Sequence, residues 1–319
     1  MTLPAMMAVR ETYPEAHIAV VANPLVAQLL EHHPGCDEII VYNKRAEHAG
    51  VFGMLRFASA LRRQKFDCAI LFQYAIEAAV MTFLARIPCR LGFSTDGRRF
   101  LLTHPVAFGK EEKVLHQTDA FLRIVNHYAI TAADKVQALA LSEEERDWAK
   151  EQLPEGPLVV INPGAAYGSA KRWYPERFAA VADFLTREHG MTVVLIGGPV
   201  EAEVGRDIAA MMQYPALNFV GKTTVRQMMS LIDAAALMIT NDSGPMHVAA
   251  AFKVPLVAIF GPTNHTTTSP FTENYRIVRH DVDCAPCMLR ECPTDHRCMD
   301  RITVDDVIAA VQSFLLEID

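Results

Sequence analysis

Short runs of apolar, β-branched residues alternate with segments of helical periodicity along almost the whole chain, and this alternation constrains the fold more than any other feature. Strands joined by crossover helices form parallel sheets covered on both faces, so the fold class is α/β. The pattern runs twice. In the first half, strands are expected at 17–22, 38–42, 66–72 and 89–93, closed by a helix around 115–128. Between 129 and 157 the periodicity dissolves into small, charged and Pro-Gly residues around one short helix at 142–152. A domain boundary is expected there, giving domains 1–150 and 151–319, each doubly wound.

The second half restarts with strands at 158–162, 192–196, 217–220, 237–240 and 256–260. Helices near 175–189, 201–212, 225–234 and 244–252 separate them, and an amphipathic helix at 304–316 ends the chain. Thr303 is placed as the N-cap of that last helix, with Asp305 and Asp306 in its first turn. The opening is unusual for an α/β domain, because 2–11 reads as a helix entered at Pro4 rather than as a strand. A first strand and its loop are therefore expected to be missing, and in open α/β sheets such loops border the ligand crevice.

Composition narrows the function. Thirty Lys plus Arg against 37 Asp plus Glu leave a net charge of −7, which disfavours a nonspecific grip on nucleic acid. Any phosphate must meet a local basic site. No apolar run reaches the roughly 18–20 residues that cross a bilayer, and no basic n-region precedes the apolar N-terminal residues. Seven cysteines in 319 residues make no disulfide scaffold, so a cytoplasmic setting is expected.

Several familiar motifs can be set aside. Gly221-Lys222-Thr223 lacks the earlier glycine of a P-loop, no G-x-G-x-x-G follows a strand, and no G-x-S-x-G is present. Two loops carry more. Thr240-Asn241-Asp242-Ser243-Gly244-Pro245-Met246-His247 ends a strand and turns at once into a helix of small residues. Backbone N–H groups at such a start, backed by the helix dipole, suit a diphosphate, with His247 on the rim as a donor to phosphate or sugar. The plainer alternative is an ordinary cap, with Asp242 or Ser243 accepting from the helix and His247 merely packed.

Asn162-Pro163-Gly164-Ala165-Ala166-Tyr167-Gly168-Ser169-Ala170-Lys171-Arg172-Trp173 is the second loop, where small residues permit close backbone approach and Lys171 brings a mobile charge. Its alternative is a solvated loop anchored by Trp173. Glu201, after Gly197-Gly198-Pro199, suits a clamp on ribose hydroxyls or, more plainly, a helix-dipole partner. Cys284, Cys287, Cys292 and Cys298, with His296 among them, offer soft ligands at nonstandard spacing. They read as loop thiols or as a structural metal site, with no catalytic role expected.

Pro163-Gly164-Ala165, Ala170-Lys171-Arg172-Trp173, Thr240-Asn241-Asp242-Ser243-Gly244, Met246-His247-Val248-Ala249-Ala250 and Gly261-Pro262-Thr263 together resemble glycosyltransferase family 9. Within it the likeness is to the ADP-heptose:lipopolysaccharide heptosyltransferases, most closely the heptosyltransferase II subfamily. The resemblance implies a GT-B fold of two Rossmann-like domains, an acceptor-side N-terminal domain and a donor-binding C-terminal one. It implies ADP-heptose as donor, a lipopolysaccharide inner-core acceptor, transfer without a metal or cofactor, and possible peripheral contact with the inner membrane. By the same resemblance Lys171 contacts donor phosphates, Glu201 the adenosine ribose, and Asp242, Ser243, Gly244 and His247 the diphosphate and heptose. The family's expected catalytic base, an Asp in a Gly-Asp dipeptide, would lie upstream of Met1, which leaves a nucleotide-sugar-binding protein with impaired transfer as the alternative.

Overall fold

The computed structural model describes residues 1–131 and 138–315. The chain divides into two compact units, Met1–Ala140 and Leu141–Asp319.

In the first unit, β1 (Ala19–Ala22) pairs in parallel with β2 (Glu38–Val41). A separate parallel sheet holds β3 (Cys68–Leu71), β4 (Cys89–Phe93) and β5 (His104–Val106). The unit opens on the helix Leu3–Thr12, with Pro4 in its first turn, where a missing N–H leaves no bond unmade. Ala5 and Ala8 of that helix let it sit close against Leu122 and Val125 of the helix Gln117–Asn126. Four strands and this helix match the periodicity, but β5 carried no signal. It is three residues long with Pro105 at its centre, and a residue without an N–H is tolerated only at a sheet edge.

The second unit is one parallel sheet of six strands. These are β6 (Leu158–Asn162), β7 (Thr192–Leu195), β8 (Leu217–Asn218), β9 (Leu237–Asn241), β10 (Leu256–Ile259) and β11 (Tyr275–Val278), in the order β11-β10-β9-β6-β7-β8. Val159, Ile161, Val193, Leu195, Ile239, Val257 and Ile259 are completely buried, because helices cover both faces, which is why these strands read as unbroken apolar runs. The helix Pro175–His189 starts on a proline and stops at Gly190, whose φ of 62° a Cβ would strain. Thr303 caps the helix Val304–Leu315: its Oγ1 accepts from Asp306 N at 3.1 Å, and Asp306 Oδ2 accepts from Thr303 N at 2.8 Å. Leu316, expected in this helix, lies outside the described residues.

β11 was not anticipated, since Arg276 interrupts its apolar run. The arginine lies over the Phe314 ring at 4.5 Å and donates to Ser313 Oγ at 3.0 Å, so its stem packs while its charge is met. The helix Glu143–Gln152, capped by Ser142, belongs to the second unit, where Glu145 takes two bonds from the Arg226 guanidinium. No helix among the described residues is long and apolar enough to cross a membrane.

Candidate functional site

The strand order of the second unit reverses beside β6: β7 and β8 are added on one side, β9, β10 and β11 on the other. In a parallel sheet the two loops leaving such a switch point diverge and open a crevice at the carboxyl ends of the strands. Both phosphate-suited loops leave from here. Asn162 and Thr240 are register partners at the ends of β6 and β9, and Asn162 Nδ2 reaches Thr240 Oγ1 at 3.1 Å and Ser243 Oγ at 2.9 Å. Asn241 Nδ2 donates to Pro163 O at 2.7 Å, while its Oδ1 accepts from Trp173 N at 3.1 Å. Trp173 is buried, with its indole N–H bonded to Ile302 O at 3.0 Å. Polar strand-end side chains therefore fasten one loop to the other, and an aromatic anchor fixes both to the core.

Lys171 Nζ lies 2.6 Å from Asp242 Oδ2, and Thr263 Oγ1 donates to the same oxygen at 2.6 Å. Asp242 is thus committed to neighbouring loops rather than to capping its own helix. Ser243 is the residue at the cap position of the helix Gly244–Ala251, and its side chain makes no cap hydrogen bond. The N–H groups at this start are left without the side-chain acceptor that ordinary capping would supply. A Cβ built on Gly244 would meet nothing within 4 Å, so the helix start faces open space. His247 is half-buried one turn further in.

Glu201 is buried on the first turn after β7. Its Oε2 accepts from Gly198 N at 2.8 Å, which makes it a cap, and its carboxylate lies flat against the β6 loop. A Cβ at Gly164 would fall 2.0 Å from Glu201 Cδ, so any larger residue there would have to displace the carboxylate. The structure thus brings Lys171, Glu201, Asp242, Ser243, Gly244 and His247 to the carboxyl ends of three neighbouring strands. Lys222, by contrast, turns its ammonium onto Asn218 O at 2.7 Å, away from any P-loop geometry.

Sequence reasoning named Thr263 and Tyr167 only within motifs and His296 only beside the cysteines, gave none of them a place at this site, and did not name Arg290. Tyr167 lies under Lys171 at 4.8 Å and under Arg290 at 5.2 Å, and its hydroxyl donates to Met288 O at 2.7 Å. Ala170 N donates to Arg290 O at 3.0 Å, and His296 Nε2 lies 2.8 Å from Ala170 O. At Gly168 a Cβ would collide with Arg290 O at 2.1 Å. The cysteine-bearing segment therefore buttresses the loop that carries Lys171, a long-range relationship that no local spacing encodes.

Cys298 is buried in the core, where burial first, and then the thiols of Cys284, Cys292 and Cys287, push its pKa up to about 11. Cys284 and Cys287 are exposed, and Cys292 Sγ rests 3.5 Å from Thr294 Oγ1. Among the described residues no group of three or more His, Cys, Asp or Glu is placed to hold a metal ion.

Comparison with known proteins identifies residues 54–297 as matching the model of "Glycosyltransferase family 9 (heptosyltransferase)". The chain is 30% identical to Lipooligosaccharide heptosyltransferase 2 of Campylobacter jejuni, over 99% of this chain and 94% of that protein. It is 32% identical to Lipopolysaccharide heptosyltransferase 2 of Escherichia coli K12, over 84% of this chain and 80% of that one. Among solved structures, E. coli ADP-heptose lps heptosyltransferase II superposes with a TM-score of 0.83 at 27% identity, covering 99% of this chain and 94% of that one. A glycosyl transferase family 9 protein from Veillonella parvula gives 0.88 at 26% identity, covering 99% and 93%.

Proposed function

Because this chain belongs to glycosyltransferase family 9 and is a transferase with the GT-B fold of its heptosyltransferases, we propose that it moves a heptose from ADP-heptose to the lipopolysaccharide inner core. The donor is assigned to the second unit and the acceptor to the first. One observation carries the donor assignment: Lys171 and the helix start at Gly244, which has no side-chain cap, stand together at the switch point between β6 and β9.

The chemistry follows from where charge develops. An acceptor hydroxyl attacks the anomeric carbon while the C–O bond to ADP breaks, and the departing diphosphate gains negative charge. Lys171 and the N–H groups of Gly244–Ala251 are fixed dipoles and charge in a partly dry setting, suited to stabilise that leaving group without reorganising. Lys171 and these N–H groups are the partners assigned to the diphosphate, and transfer is assigned without a metal or other cofactor. His247 donates to phosphate or sugar, and Glu201, through the carboxylate oxygen not bonded to Gly198, reaches ribose hydroxyls. Asp242 holds Lys171, with Thr263 steadying the carboxylate. The acceptor's proton is assigned to no residue of the second unit. The setting assigned is cytoplasmic, with peripheral contact at the inner membrane, where the lipid-linked acceptor resides, and no nucleic-acid partner.

The test is transfer from ADP-heptose to an inner-core acceptor, read by ADP release and product mass. Heptosylated product is expected. Donor binding by calorimetry without any product would instead favour a nucleotide-sugar-binding protein, and absence of both would overturn the reading.

A further inference from the structure

The helix Gly50–Gln64 buries Gly53, Phe57, Ala58 and Leu61, packing the last three with Met81, Ala85 and Ile87. Its opposite face is a stripe at helical spacing: Phe52, Leu55, Arg56, Ser59, Arg62 and Arg63, all exposed. The apolar members stand at one end of it. Phe52 is 87% exposed, its neighbour Val51 67% and Leu55 41%. This is not a loose end of chain. The preceding loop crosses so close to Gly53 that a Cβ there would sit 2.3 Å from His48 C, and His48 stacks on Tyr42 and meets Phe57 edge-on. Phe52 is therefore held out in water by a rigid start.

Charge identifies what such a face meets. From 44 to 65 the chain carries Lys44, Arg45, Arg56, Arg62, Arg63 and Lys65 against the single carboxylate Glu47, in a protein of net charge −7. Lys44 pairs with Glu77 at 2.6 Å, and the other five cations are exposed. An aromatic and aliphatic tip followed by arginines, on a helix lying along the surface, is the pattern of an interfacial helix: the rings enter the acyl boundary and the guanidinium groups stay at anionic headgroups. A second copy fits poorly, because isologous pairing would set the same cationic stripe against itself.

We propose that the Phe52–Arg63 face of this helix docks on an anionic lipid bilayer. The choice of bilayer over an acidic protein rests on the lipid-linked acceptor of the proposed function, and the inference adds the face that meets it. The test is flotation of the full chain with vesicles of phosphatidylcholine alone and of phosphatidylcholine with phosphatidylglycerol. Binding to the anionic vesicles only, weakened by added salt, is expected, with a loss on the order of tenfold in Phe52→Ser and in Arg62→Gln/Arg63→Gln. Melting temperatures should not move, since these side chains are exposed. No binding, equal binding to both vesicles, or variants that bind like the parent would overturn the proposal. So would concentration-dependent self-association abolished by Phe52→Ser, which would give the face to a second copy. Vesicle binding uses neither donor nor transfer, so a failure of heptosyl transfer leaves this result readable. Conversely, Phe52→Ser should transfer normally to a water-soluble inner-core oligosaccharide.

Discussion

Lys171 and Asp242, 71 residues apart in the chain, form a 2.6 Å ion pair whose side chains are only 12% and 6% exposed. A pair this dry has little water to compensate either charge, so each side chain fixes the other, and an arriving phosphate shares Lys171 rather than recruiting it from solvent. Lys171→Ala should weaken ADP binding by about 1–3 kcal/mol, the range for losing a charge-assisted hydrogen bond. Calorimetry decides it, and unchanged affinity removes Lys171 from the site.

Asp242 is the stricter case, because it serves Lys171 and Thr263 with one oxygen. Asp242→Ala leaves a buried ammonium with no acceptor, and breaking a buried pair costs about 3–5 kcal/mol. Asp242→Asn keeps an acceptor oxygen at that place and should unfold at clearly less cost while still transferring poorly. Denaturant titration of both variants alongside transfer rates checks the order. Equal stability losses would mean that the oxygen's hydrogen bonds carry nothing.

The parallel sheet of the second unit was legible because strands buried on both faces must be apolar throughout, and the ends of β6 and β9 announce themselves where Asn162 and Thr240-Asn241 break the run. The two loops were legible for the same reason. What was not legible is what the polar residues do. Asp242 looks like a cap by position, yet it bonds sideways to Lys171 and Thr263, and Glu201 commits one carboxylate oxygen to Gly198 N and leaves the other for a ligand. Tyr167 and Arg290 meet only because the fold returns a segment some 120 residues later, as the Tyr167 to Met288 bond shows. Edge strands β5 and β11 escaped because Pro105 is tolerated only where its strand has a free side, and because Arg276 is accommodated by Phe314 and Ser313 of a helix some forty residues later.

Gly164 and Glu201 are coupled by contact and should fail non-additively. Gly164→Ala pushes a methyl into the carboxylate and should cost about 1–3 kcal/mol, as overpacking does. Glu201→Ala loses the bond to Gly198 N and should cost about 1 kcal/mol. In the double variant the methyl occupies the space the carboxylate leaves, so a coupling of about 0.5–3 kcal/mol in the favourable sense is expected from chemical denaturation. Strict additivity would show that the loop moves aside instead of clashing.

Cys298 gives the structure a defined alkaline edge. Burial, and then the other thiols of its segment, hold its pKa near 11 against the ordinary 9.0, so the folded state keeps a proton that the unfolded chain releases. A raised pKa contributes stability that is fully present below about 9 and is lost as pH climbs to about 11. The wild-type melting temperature should therefore fall across that window more steeply than that of Cys298→Ala, whose core position does not titrate. In native protein near pH 8, iodoacetamide should alkylate exposed Cys284 and Cys287 and leave Cys298 unmodified until denaturant is added, because the thiolate is the nucleophile. Peptide mapping reads both states. Native alkylation of Cys298 at the rate of Cys284, or a constant difference in melting temperature between wild type and Cys298→Ala from pH 9 to 11, would show that this thiol is not held in the core as its packing against Gly261 and Met299 requires.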